Sequence, residues 1–303
     1  MDAVALRMTG LTKYYGPVVG VDSLSLDVPT GAVFGFLGAN GAGKTTTIRL
    51  LLDLLRATSG SASILGFDCR RQTLEVRRRV GYLPSEMAIY PEQTGAGYLK
   101  FLVALGQQPV STARLTSLLR RFDVSDLDLR RRMRDYSHGM KRKLGLVQAL
   151  MTDPPVLILD EPTSGLDPLM IEAFYETIDE LARSGRVTIF LSSHVLSEVD
   201  RVCERIALIR SGRLVAVRTL SDLRRAAPRR LTVLFAQPVN GQVPIGPDAV
   251  LITREPRRWV IDAHGPLGGI VASLASLPVA DISLSPVGLE RAILKLFEED
   301  PPC

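Results

Sequence analysis

The stretch Gly38-Ala39-Asn40-Gly41-Ala42-Gly43-Lys44-Thr45-Thr46 carries the plainest chemistry in this sequence. It matches the spacing G-x-x-x-x-G-K-[ST], in which each residue type has its own task. The glycines let successive backbone N–H groups turn toward phosphate oxygens. A helix starting at the end of the loop adds unsatisfied donors and the positive end of a dipole. Lys44 can reach the β- and γ-phosphates, and the Thr45 hydroxyl can ligate Mg²⁺. Asp160 and Glu161 form a second constellation, adjacent carboxylates that close the apolar run Val156-Leu157-Ile158-Leu159. Neighbouring side chains on a strand end point in different directions, so the pair can divide two roles. Asp160 is expected to serve Mg²⁺, directly or through water, as second partner to Thr45. Glu161 is expected to be the general base for an attacking water. His194 closes a further apolar run, Val187 to Leu191, and can hydrogen-bond a γ-phosphate. Lone histidines are commonly structural, and Ser-Ser-His after a core strand does not by itself assign this one a function.

These groups need elements to hold them. The apolar run Ala32 to Leu37 predicts a buried strand entering the glycine loop, and Thr45 to Leu55 predicts the helix leaving it. Val156 to Leu159 predicts a central parallel strand covered on both faces. Its acids fall at the carboxyl end, where open α/β sheets place ligands. Upstream, Ala5 to Met8 suggests a short edge strand and Ser23 to Val28 a second strand. Tyr15 reads equally well as a ring stacking on adenine and as simple strand packing. Ala62 to Gly66 and Val80 to Pro84 suggest further strands. From Gly95 the pattern turns helical, with Tyr98 to Phe122 reading as an insertion and Ser111 as a cap. Met140 to Met151 predicts an amphipathic helix stopped by Asp153-Pro154-Pro155. A helix over Leu169 to Arg183, a helical turn over Val195 to Asp200 and a hairpin at Ser211-Gly212 complete this part.

The boundary is expected near Ala226 to Arg230, giving domains 1–225 and 226–303 with a helical subdomain at about 95–150. Past it, Leu231 to Phe235, Ala249 to Thr253, Trp259 to Asp262 and Ala280 to Leu284 suggest strands. Helices are expected within Gly265 to Leu277 and over Val287 to Phe297. The fold class is α/β with an antiparallel β portion, a helical insertion and a small C-terminal α+β domain.

Composition narrows the class. The chain has 303 residues, 46% hydrophobic and 23% charged, with a net charge of +5, the profile of a globular protein. Arginines cluster at Arg77-Arg78-Arg79, Arg130-Arg131-Arg132 and Arg224-Arg225. They could meet nucleic acid or anionic lipid headgroups, but a solvated or salt-bridged rim is the favoured reading, and the interleaved aromatics of a single-strand groove are missing. Cys69, Cys203 and Cys303 show neither metal-ligand nor disulfide spacing, which fits a reducing compartment. A secretory signal is not expected at Met1 to Val4, and no run of about 18 apolar residues occurs.

Taken in order, the motifs resemble the nucleotide-binding subunit of an ATP-binding cassette transporter. The glycine loop resembles the Walker A motif of that P-loop NTPase cassette, and Val156 to Glu161 its Walker B motif. Tyr136-Ser137-His138-Gly139-Met140 resembles the signature motif, Ser164 to Asp167 the D-loop, and His194 the switch histidine. The functional role of His194, in Ser-Ser-His after a core strand, rests on this resemblance. Tyr15 holds the place of the adenine-stacking aromatic. The resemblance covers Ala5 to Val217, and more weakly the tail from Leu231 to Glu298, and fits the prokaryotic two-component exporters.

The resemblance implies ATP and Mg²⁺ as ligands, with Gly38, Asn40, Gly41, Gly43, Lys44, Thr45 and Thr46 around the phosphates. It implies a head-to-tail dimer in which Ser137 and Gly139 meet the γ-phosphate held by a second copy, with Asp167 communicating between the sites. A separate transmembrane permease, gripped by the helical insertion near Tyr98 to Phe122, is the expected partner, nucleic acid is not, and the expected location is cytoplasmic, on the inner face of the cell membrane. ATP hydrolysis would power export of a hydrophobic compound, drug or lipid-linked molecule. Two departures stand out. His138 and Met140 replace a glycine and the glutamine of the signature, as members serving small exporters often do. Ser85 holds the place of the Q-loop glutamine, where a water-mediated link to Mg²⁺ or a substitute role for Glu86 are both open. A cassette ATPase working on ribosomes or nucleic acid is the alternative, but the tandem cassettes or long coiled coils of such relatives are missing. A regulatory scaffold is a further one, against which Lys44, Asp160, Glu161 and His194 speak and which Ser85 keeps open.

Overall fold

The computed structural model describes residues 3–106, 109–226, 229–239, 249–263 and 267–286, together with 293 and 296. It divides into two units, Met1–Val217 and Arg218–Cys303. The chain opens with strands β1 (Val4–Tyr15), β2 (Val18–Pro29) and β3 (Val33–Leu37). Helix α1 (Lys44–Leu51), β4 (Ser59–Ile64), β5 (Phe67–Asp68), α2 (Thr73–Arg79) and β6 (Val80–Leu83) follow. The helical insertion then runs through α3 (Gly95–Gly106), α4 (Thr112–Arg121), α5 (Asp126–Arg130) and α6 (His138–Leu150). Strand β7 (Val156–Asp160), α7 (Pro168–Ser184), β8 (Thr188–Ser193), α8 (Leu196–Val202), β9 (Arg205–Arg210) and β10 (Arg213–Thr219) close this part.

These strands build two sheets, β2-β1-β4-β5 and β10-β9-β3-β8-β7-β6. The first is antiparallel. In the second, β9, β3, β8, β7 and β6 run parallel. Strands β3, β7 and β8 are buried at every position, as parallel strands between two covering layers must be. Phe34, Phe36, Ile158 and Phe190 join Ile48 and Leu51 of α1 in the main core. Ser211 and Gly212 both have positive φ, 49° and 81°, the turn geometry that returns a two-residue hairpin from β9 to β10.

Three expectations need correction. Ala5 to Met8 is not a short edge strand: β1 is 12 residues long and pairs with β2 on one side and β4 on the other. Register shifts between Met8 and Leu11, and Gly10 at φ 54°, interrupt the alternation that would have shown its length. The second strand starts well before Ser23, at Val18, and Ser23 itself has φ 51°. Helix α1 ends at Leu51, short of Leu55. Asp53 turns left-handed at φ 51°, and the Arg49 carbonyl accepts from both Leu54 and Leu55 N–H. The cap at Ser111 is present, its hydroxyl accepting from Arg114 N–H.

The second unit contains α9 (Leu220–Ala226), β11 (Arg229–Phe235), β12 (Ala249–Glu255), β13 (Arg258–Ala263), α10 (Gly268–Leu274) and β14 (Val279–Pro286). Its antiparallel sheet runs β12-β13-β11-β14. Alternate residues Leu231, Val233, Phe235, Trp259, Ile261 and Ala263 face one side, where Ile270 and Leu274 of α10 close a core. The helix expected over Val287 to Phe297 lies outside the described residues, but for 293 and 296. Arg78 and Arg79 pair with Glu75, Arg132 with Glu92, and Arg225 with Asp222. Among the described residues no helix is long and apolar enough to cross a membrane.

Candidate active site

Parallel register brings the constellations together. Leu37 pairs with Ser193 and Asp160 with Ser192, so β3, β8 and β7 end level with one another. The glycine loop after β3, the carboxylates at the end of β7 and the histidine after β8 therefore share the carboxyl edge of the sheet. They surround a cleft of about 560 Å³, within the size range of small-molecule sites. The loop contributes Asn40, Gly41, Gly43, Lys44, Thr45 and Thr46 to its lining. Tyr15, Ser85, Glu161 and His194 join from other segments. Gly38 lies beneath, its carbonyl accepting from Lys44 Nζ at 2.7 Å.

Lys44 is 6% exposed. Its ammonium also donates to Ala39 O at 3.2 Å and stands 3.3 Å from Glu161 Oε1. The other Glu161 oxygen, Oε2, lies 2.5 Å from His194 Nδ1, a separation that fits an Nδ1–H donor. One carboxylate thus links the loop lysine to the histidine after β8. Asp160 is fully buried. Its Oδ2 accepts from Thr45 Oγ1 at 2.9 Å, and its Oδ1 accepts from the Ser192 hydroxyl. The hydroxyl of Thr45, which lines the cleft, and the carboxylate of Asp160 buried behind it form a hard oxygen donor pair.

Supporting groups escaped the sequence reading. Arg142 of α6 is 1% exposed and donates to backbone carbonyls at the ends of β6 and β7. Burial depresses its pKa to about 10, offset by the charges of Asp160, Glu161 and Glu198. Glu198 of α8 is buried, accepting from Ser193 Oγ at 2.6 Å and from the Thr163 hydroxyl. Burial raises its pKa above the usual carboxylate range. The helical period held a signal for both. Arg142 is in phase with buried Leu146 and Ala149, and Glu198 with buried Val202.

The residues expected to act on a second copy stand apart from this lining. Ser137 caps α6, accepting from Met140 N–H at 3.2 Å, and Gly139 lies in the first turn of that helix. Asp167 caps α7, accepting from Met170 N–H at 3.0 Å. His138, in contrast, lines the cleft of its own chain, beside Ser164.

Comparison with known proteins agrees with this geometry. A sequence model of the ABC transporter family matches residues 21–164. The chain is 35% identical to the daunorubicin resistance ATP-binding protein DrrA3 of Streptomyces coeruleorubidus, over 99% of this chain and 98% of that protein. It is 36% identical to the bacitracin transport ATP-binding protein BcrA of Bacillus licheniformis, over 69% of this chain and 68% of that one. The solved structure of an ATP-binding subunit of an ABC transporter superposes with a TM-score of 0.67 at 32% identity, covering 73% of this chain and 92% of that chain. The dimeric bacterial cassette MJ0796 shares the fold, with a TM-score of 0.65 at 18% identity over 71% of this chain and 98% of its own. The chain therefore belongs to the ABC transporter family, as a nucleotide-binding domain that binds and hydrolyses ATP and couples hydrolysis to transport through a partner transmembrane subunit.

Proposed function

We propose that this chain is the motor of a two-component exporter and that Lys44, Thr45, Asp160, Glu161 and His194 carry its hydrolytic step. The observation that carries the reading is their convergence on one cleft at the carboxyl edge of β3, β7 and β8. The glycine loop, with Gly38 to Gly43 and Thr46, cradles the ATP phosphates through backbone N–H groups, and Lys44 turns from Glu161 toward the β- and γ-phosphate oxygens. The exposed ring of Tyr15 lies at the cleft edge, where a base can stack. Glu161 takes the proton of the attacking water, and His194 holds that carboxylate and reaches the γ-phosphate. Thr45 and Asp160 fit Mg²⁺ as its protein-side oxygen ligands; the ion, when bound there, offsets charge on the phosphates. Ser85 and Glu86 both line the same cleft as Thr45, and a water held by Ser85 is the simplest link.

The active unit is a head-to-tail dimer of this chain. Ser137 and Gly139, at the start of α6 and outside the lining of their own cleft, meet the γ-phosphate bound by the second copy. Asp167 joins the two sites. The permease docks on a second cleft, about 570 Å³, lined by Leu74, Arg77, Tyr82, Leu105 and Gln148. Leu74 and Leu105 are 70% and 68% exposed there, and such apolar exposure marks an interaction surface. The chain accordingly sits at the cytoplasmic face of the membrane. Relatives named for daunorubicin resistance and bacitracin transport favour export of a drug, hydrophobic compound or lipid-linked molecule. Co-purification from membranes, with ATPase assays with and without the partner, tests the reading. A helical membrane protein that stimulates hydrolysis is expected; stimulation by ribosomes or nucleic acid alone would overturn it.

A further inference from the structure

Arg142 has five N–H donors, and each meets a backbone carbonyl. Nε donates to Pro162 O at 3.0 Å. One terminal nitrogen donates to Asp160 O at 2.6 Å and to Glu161 O. The other donates to Pro84 O and, at 3.3 Å, to Ser85 O. The acceptors lie on two separate segments, the residues ending β6 and those ending β7. No carboxylate oxygen is among them. Burying a guanidinium without such a direct ion pair is costly. A neutral side chain would fill the space on α6 without that cost, so packing alone does not account for the charge.

Glu161 needs an outside constraint. Its backbone stands at φ 51°, the left-handed region, which a glutamate rarely occupies by its own preference. Ser192 O accepts from its N–H at 3.0 Å, and Arg142 takes its carbonyl. Both peptide groups of Glu161 are therefore pinned, which aims the side chain at Lys44 and His194.

We propose that Arg142 is a positioning residue for hydrolysis, clamping the Asp160–Pro162 backbone to the Pro84–Ser85 turn so that the Glu161 carboxylate is held ready for the attacking water. The inference rests on Glu161 being the base. It also ties the two halves of the composite site together. The helix that offers Ser137 and Gly139 to a second copy carries, one turn further on, the clamp on its own chain's carboxylate. Movement of α6 when the copies meet is transmitted through the guanidinium to Glu161.

Arg142→Gln and Arg142→Lys, made in the full chain, test this. Glutamine offers two N–H donors and lysine three from a single atom, and neither spans both segments as the planar fork does. Thermal melting checks folding, titration with a fluorescent ATP analogue gives affinity, and steady-state assays give kcat. For Arg142→Gln, kcat should fall about a hundredfold while nucleotide affinity stays within about threefold; Arg142→Lys should fall between the two. Repeated in a Glu161→Gln background, the Arg142 changes should lower the residual rate no further, because the group they position is gone. Equal proportional losses in both backgrounds, or lost affinity with kcat kept, would overturn the clamp and leave the base intact. A parental rate from Glu161→Gln alone would instead remove the base, and the clamp with it. Should the glutamine variant not fold, the lysine variant carries the same comparison.

Discussion

Asp160 and Ser192 should prove energetically coupled in a way that can be separated from catalysis. Both are fully buried, and the Ser192 hydroxyl donates to Asp160 Oδ1. Asp160→Ala removes the acceptor and leaves that hydroxyl buried without this partner, at a cost of about 1–3 kcal/mol. Thr45, the other donor to Asp160, opens on the cleft and can turn to water, so it adds little. The loss of negative charge beside Arg142 adds a further cost, but it is common to Asp160→Ala with and without Ser192→Ala and cancels in a double-mutant cycle. The cycle should therefore return about 1–3 kcal/mol of coupling, because removing both partners is close to neutral. The single tryptophan, Trp259, lies in the second unit, so its fluorescence is the wrong probe. Hydrogen exchange of β7 and β8 amides against urea reports the right region. The double variant should regain stability over Asp160→Ala and still fail to hydrolyse ATP. Coupling below about 0.5 kcal/mol would refute the buried pair, and restored hydrolysis would refute the role given to Asp160.

Two glycines of the loop should differ sharply. Gly43 has φ 108° and a Cβ there would lie 2.5 Å from Gly20 O, whereas at Gly41, φ 80°, nothing lies within 4 Å. Gly41→Ala should lose only the left-handed penalty of about 1–2 kcal/mol in nucleotide-free thermal melts and Gly43→Ala clearly more; equal losses would contradict the close approach of β2 to the loop. Glu198 should make stability depend on pH. Burial raises its carboxyl pKa in the fold, among the charges of Glu161, His194 and Arg142, so the native state keeps that proton to higher pH than the unfolded chain. Its contribution is then present below the ordinary carboxylate range and lost as pH rises through the raised value. The parent's melting temperature should fall relative to that of Glu198→Gln over this rise, and a pH-independent difference would count against it. Charging the second cleft by Leu74→Asp with Leu105→Asp should abolish permease capture in pull-downs while basal ATPase persists; retained capture would move the docking surface elsewhere.

The glycine loop, the β7 acids and the β8 histidine were legible because their chemistry sits in residue types at short, fixed spacing. Strands β3, β7 and β8 were legible because full burial leaves an unbroken apolar run. β1 and β2 were not, since the irregular register between them, the left-handed Gly10 of β1 and the left-handed Ser23 of β2 break the period from which strand length is read. Arg142 was hidden for a different reason. Within Lys141-Arg142-Lys143 it looks like part of a solvated face, and arginine is rarely fully buried. Its partners are backbone carbonyls, which no residue type announces, brought together only when β6 and β7 pair. Glu198 is similar, its hydroxyl partners Thr163 and Ser193 being joined by the fold.

The central claim, that Glu161 is the base of a site shared between two copies, meets its most direct test in Glu161→Gln with MgATP. The amide keeps the shape beside Lys44 and His194 but cannot take a proton from water. Single-turnover hydrolysis should fall at least about a hundredfold while ATP stays bound, and sedimentation should show an ATP-dependent dimer that the parent holds only transiently. Hydrolysis at the parental rate, or a variant that stays monomeric with ATP bound, would contradict the account.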